Sequence, residues 1–172
     1  MKTQYAEPKD VRESIIDWLR DAYAMERGLE KSLQKQSQND DCSPSVRSRA
    51  SQHLAETQRH AEEVHATLQS LGADTSALKT GLGLTAQATK GMASMFAQDE
   101  QIKDLLDAYS MEHFEIACYT ALAAAAEAAG LAQVVEMCRR IIPDEEHMAQ
   151  SIMESLPREV FYYLQIPEMA ES

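Results

Sequence analysis

Glu112, His113 and Glu115 stand in the stretch "YSMEHFEIACY" (residues 109–119), where a helix should be turning its apolar side toward a core. Two carboxylates and an imidazole there call for a reason, and similar intrusions recur along the chain. Glu26 falls four after Ala22 and three before Leu29, in place of an apolar residue. Glu56 and His60 are four apart beside Thr57 and Val64. Glu112 lies on the stripe Ile102, Leu105, Tyr109, Ile116 and Ala123, with Glu115 three further on. Glu146 is bracketed by Ile142, Ala149, Met153 and Leu156, with Glu145 and His147 on either side. Four helical stripes thus each carry a carboxylate near mid-length on the side expected to be buried. An ionised carboxylate taken out of water costs several kcal/mol unless it is paired or coordinated. Arg27, Arg59 and Lys103 fall on outward or flanking positions, so a shared cation is the economical partner. Five or six Glu with one or two His suit a pair of first-row metal ions, because carboxylates bridge cations roughly 3.5–4 Å apart.

Each of these residues has a plainer reading. A lone Glu at a stripe edge is usually a solvated flank, and the argument rests on four such residues at matching depth. His60 is either a ligand or a donor orienting Glu56. His53 shares a side with Glu56 and is a reserve ligand, and Glu145 competes with Glu146 for the inward place. His113 reads as flanking, and His65 and His147 as surface residues. Tyr23, Tyr109 and Tyr119 read as core residues whose hydroxyls reach toward the site. The methionines and the three cysteines (Cys42, Cys118, Cys138) read as core filler.

The elements that must hold these groups are four long helices, at about 9–38, 44–71, 99–129 and 131–156, with no alternating strand pattern. The first stripe runs Val11, Ile15, Trp18/Leu19, Ala22, Leu29 and Leu33. Ser43-Pro44 is an N-cap followed by proline at the first helical position, and Gly72 and Gly130 are C-terminal stops. Pro143 should kink or break the fourth helix. Residues 73–98 form a long crossover, read as carrying a short helix around 85–96. The aromatic tail, 158–172, should dock on the bundle or on a second subunit. Two helices, a long crossover and two more helices give one all-α domain, a four-helix bundle of about 9–157.

Composition agrees. Of 172 residues 44% are hydrophobic and only 6% aromatic, with 6 Gly and 5 Pro. The net charge of −12 disfavours a nucleic-acid partner, whose phosphates need clustered Lys and Arg. No run reaches the 18 or so apolar residues that a membrane helix needs. An odd cysteine count without knuckle spacing implies no disulfide framework. The default location is the cytoplasm.

The layout resembles the ferritin-like di-metal bundles, and more narrowly the YciE/YciF family of bacterial stress-associated proteins. "DAYAMERGLEKSL" (21–33), "HLAETQRH" (53–60), "MEHFEIACYTAL" (111–122) and "DEEHM" (144–148) carry the likeness, which covers roughly residues 10–157. It matches Glu26 to the lone Glu of the first helix, Glu112 and Glu115 to the Glu-x-x-Glu of the third, and Glu146 to the inward Glu of the fourth. The usual Glu-x-x-His does not occur in the second or fourth helix: Glu56 and His60 are four apart, and His147 adjoins Glu146. The resemblance implies a homodimer and a ferritin-like bundle with one long crossover between helices 2 and 3. It also implies a centre of two metal ions, iron first and manganese second. Related folds add ferroxidase chemistry or the handling of O₂ or peroxide in a stress response. The expected ligands are Glu26, Glu56, His60, Glu112, Glu115 and Glu146.

Overall fold

The computed structural model describes residues 10–75 and 100–166. Four helices account for nearly all of them: α1 Val11–Ser37, α2 Pro44–Ser70, α3 Glu100–Ala128 and α4 Ala132–Tyr163. Local chemistry sets the ends. The Asp10 side chain accepts from the Arg12 amide, and Ser43 Oγ accepts from the Val46 amide with Pro44 at the first helical position. Gly72 and Gly130 both take φ +71°. At each, the next amide reaches back over the glycine, Ala73 N to Leu68 O at 3.0 Å and Leu131 N to Ala126 O at 2.9 Å. The last turns of α2 and α3 are thereby closed in the same way.

The short links make α1–α2 and α3–α4 two hairpins, which pack along their lengths. The pairs then join through lesser α1–α3 and α2–α4 contacts. The result is the all-α four-helix bundle expected from the periodicity. No described helix is long and apolar enough to cross a membrane. The core divides into two apolar clusters. One gathers Ile15, Leu19, Val64, Leu68, Leu122, Val134 and Ile141, and the other Cys42, Val46, Leu105, Met148 and Ile152. Between them, at the level of residues 26, 53–60, 112–115 and 145, the bundle axis is polar.

Several expectations shift. Val11 (54% exposed) and Trp18 (47%) face outward, because the buried run is Ile15, Leu19, Ala22 and Glu26. α4 runs unbroken through Pro143 and past Leu156 to Tyr163. Pro143 lies on the exposed face, where water can meet the carbonyl it leaves unpaired. Phe161, Tyr162, Leu164 and Ile166 are exposed and do not dock on their own bundle. The expected crossover helix at 85–96 lies outside the described residues.

Two glycines should answer oppositely to the same substitution. Gly130→Ala places a side chain at positive φ and should lower unfolding stability by about 1 kcal/mol. Gly28 sits inside α1, and a Cβ there meets nothing within 4 Å. Gly28→Ala should therefore raise stability by about 0.5 kcal/mol. Chemical denaturation of both variants checks the signs.

Candidate metal centre

Glu26 of α1, His53 and His60 of α2, Glu112 and Glu115 of α3 and Glu145 of α4 are all at most 5% exposed and meet between the two apolar clusters. Helix geometry explains the convergence. On α2 the buried run Ala50, His53, Thr57, His60, Val64 advances by alternate threes and fours, so the two histidines share one face two turns apart. On α4 the run Val134, Cys138, Ile141, Glu145, Met148, Ile152 does the same.

Two sets of three ligand atoms form, each within 4.8 Å: Glu26, His60 and Glu145, and His53, Glu112 and Glu145. Glu145 belongs to both. Its Oε1 lies 2.9 Å from His60 Nδ1, and its Oε2 lies 3.7 Å from His53 Nε2. His53 Nδ1 is 3.5 Å from Glu112 Oε1, and His60 Nδ1 is 3.9 Å from Glu26 Oε1. Glu115 is in neither set, yet Glu26, Glu145 and Glu112 all act on its charge, so it faces the same space.

A further layer of partners orients these groups. The Tyr119 hydroxyl, fully buried, donates to Glu26 Oε1 at 2.5 Å. His60 Nε2 lies 3.2 Å from Asp144 Oδ2, which also accepts from Arg59. An imidazole donating Nε2–H to a carboxylate turns its Nδ1 lone pair inward, toward Glu26 and Glu145.

Two of the expected ligands change. Glu146 is exposed, and Glu145 takes the inward place, because Glu145 continues the Ile141–Met148 face and Glu146 is turned about 100° from it. Glu56 is half-exposed beside Thr57, which occupies the core position, and its Oε1 accepts from Gln52. It acts on Glu112 through space but joins neither set. Its place among the α2 donors is filled by His53. Glu26, His60, Glu112 and Glu115 lie where they were expected. His113 and His147 are exposed.

Charge is the unresolved quantity of this interior. Among the described residues, only the two histidines come within ion-pair distance of Glu26, Glu112 and Glu145. Burial, reinforced by Glu145, pushes the Glu26 carboxyl up to about 8, against the opposing Tyr119 bond. Burial and then Glu145 lift Glu112 to about 10, and Glu115 is raised well above the usual range by burial and then Glu26. For His60, burial alone would lower the value, but Glu145, Glu26 and Asp144 outweigh it and hold it up at about 9. Glu145 goes the other way: burial would raise it, yet His53 and His60 bring it down to about 2.

A metal fits this donor set. Glu26 Oε2, Glu112 Oε2 and both oxygens of Glu115 are buried without a hydrogen-bond partner. His60 Nδ1 also lacks one, its 2.9 Å approach to Glu145 being out of alignment for a hydrogen bond. Four carboxyl oxygens and one imidazole nitrogen left without partners in a dry space are what cations would complete as protons leave.

The same shifts fix how stability without metal depends on pH. Glu26, Glu112 and Glu115 keep protons in the folded chain above the ordinary value of 4.5, and His60 keeps its own above 6.5. The folded state therefore binds more protons than the unfolded one in this range, and stability falls as pH rises. Metal-free protein should melt at progressively lower temperature between about pH 6 and 9, and Glu115→Gln should flatten that slope without lowering the melting point. A metal-free melting point that climbs with pH would contradict the assignment.

Comparison with known proteins places this geometry. Residues 10–165 match the model of a family described as a domain of unknown function, DUF892. A protein from Xanthomonas campestris pv. campestris, solved as a crystal structure, is similar at 29% identity and TM-score 0.74, over 91% of this chain and 97% of that one. The stress protein YciF of E. coli is similar in fold at 20% identity and TM-score 0.67, over 89% of this chain and 98% of that one. The YciF match and the family model agree with the likeness drawn from the sequence, and the chain belongs to the DUF892 family.

Proposed function

We propose that the centre holds two first-row metal ions, iron first and manganese second. One would sit among Glu26, His60 and Glu145, and the other among His53, Glu112 and Glu145. Glu145 and Glu115 would span the two. The observation that carries this is Glu145 offering one oxygen to each set while Glu115 keeps both oxygens unpartnered. Iron or manganese held by these residues would supply redox chemistry toward dioxygen or peroxide, being itself oxidised.

The chain's own groups have separable tasks. Tyr119 occupies Glu26 Oε1 and leaves Oε2 turned to the ion. Asp144, itself held by Arg59, fixes the His60 tautomer. The carboxyls of Glu26, Glu112 and Glu115 hold protons until ions displace them, so loading should release more than one proton per chain at neutral pH. The two apolar clusters keep bulk water from the site.

A structural role for the ions, without turnover, is the second reading. The depth of burial favours it, since every ligand is at most 5% exposed. The YciF comparison says stress protein and names no activity.

Protein purified without chelator should carry close to two iron or manganese ions per chain by elemental analysis. It should also oxidise added Fe²⁺ under O₂ or peroxide above the buffer rate. His53→Ala should lose at least half of the bound metal. Bound metal with no oxidation would favour the structural reading, and no binding after reconstitution would remove both.

We also propose a homodimer through the α1–α3 side. Asp21 of α1 acts on Cys118 of α3, which puts that seam beside Trp18 and Phe114, both exposed. Exposed Ala117 and Ala121 adjoin Phe114 and allow close approach. Light scattering on the wild type should give a dimer, and on Trp18→Glu a monomer with its metal retained. A monomeric wild type would refute the pairing.

A further inference from the structure

About one turn from His53 and Glu145, α2 and α4 part to leave a groove of about 620 Å³. Its walls carry Arg49 and Arg158 with the hydroxyls of Ser45, Ser48, Ser151 and Ser155. On a chain of net charge −12, two guanidiniums facing one groove run against the general trend. Arg49 is half-buried. Its Nη1 donates to Ser155 Oγ and, at 3.4 Å, to the Ser151 carbonyl. Its Nη2 is buried and finds no hydrogen-bond partner. Arg158 Nη2 donates to Ser45 Oγ at 2.8 Å from the other side.

Two carboxylates stand by these arginines. Glu159, buried behind them, accepts from Ser43 Oγ at 2.6 Å and stands 3.8 Å from Arg158. Glu154 lines the groove and accepts from Gln150 at 2.7 Å. Ser45 belongs to the first turn of α2, where the helix dipole adds positive potential. A guanidinium fork and several hydroxyls match an oxyanion with multiple acceptor oxygens.

We infer that the α2–α4 groove binds a small oxyanion, either inorganic phosphate or the phosphate group of a small molecule, through Arg49, Arg158 and the serine hydroxyls. The site is separate from the metal centre, and its occupancy does not require the ions. If Arg49 served only to staple α2 to α4 through Ser151 and Ser155, Arg158 would have no role in binding.

Equilibrium dialysis of the full-length protein against radiolabelled inorganic phosphate, at constant ionic strength, tests this. One saturable phosphate per chain is expected, weakened at least about tenfold by Arg49→Gln and by Arg158→Gln. Arg158, 57% exposed at its side chain, can be changed without disturbing the core. The Glu115→Gln variant should bind phosphate unchanged. Competition by glycerol 3-phosphate separates the sources: tighter binding than phosphate points to an esterified ligand, and weaker binding to the free ion. No saturable binding below about 20 mM would overturn the inference. So would binding that survives Arg158→Gln but is lost in Glu115→Gln, which would place the phosphate on the metal ions instead.

Discussion

Four carboxyl groups from three helices cannot stay charged together in a dry bundle, and much of the interior follows from that constraint. Glu26, Glu112, Glu115 and Glu145 share one level of the axis with two imidazoles. Without metal, protons are the means of compensation: three carboxyls are pushed far above their ordinary values, and only Glu145, flanked by His53 and His60, stays ionised. Protonation removes the charge but leaves buried oxygens without partners. Replacing protons by cations would satisfy both demands, and that exchange is the basis for proposing a metal site here.

The surroundings of the polar level are apolar. Clusters above and below it pack the helices together through their own contacts. Tyr119 and Asp144 restrain Glu26 and His60 from outside the centre, each from a different helix from the group it holds. Such restraint holds these two side chains in place from outside. The α2–α4 side differs in character, being laced by Arg59–Asp144, Arg140–Glu63 and Arg158–Ser45.

Much of this was legible in the sequence because helices write their buried faces at steps of three and four. The four helices, their caps at Ser43, Gly72 and Gly130, and the inward places of Glu26, Glu112 and Glu115 all follow from spacing. The fourth helix misled because two apolar runs lie one residue apart there. Ile142 and Met153 favour Glu146, whereas Val134, Cys138, Ile141, Met148 and Ile152 form the longer run, and it selects Glu145. His53 was equally readable, standing on the line of Ala50, Thr57, His60 and Val64, whereas Glu56 lies about 100° from Thr57 and is half-exposed. Trp18 looks like core by composition, and only the packing of α1 shows that it stays about half exposed. Contacts such as Tyr119 with Glu26, or His60 with Asp144, join residues 93 and 84 apart in sequence, and no local pattern encodes them.

The most direct test is an anomalous difference map from crystals of protein purified without chelator, collected at the iron and manganese edges. Two peaks roughly 3.5–4 Å apart, one beside His60 and one beside His53 with Glu145 reaching both, are the predicted result. A map without peaks there, or carboxyl groups turned out to solvent or held by lysines and arginines, would contradict the account.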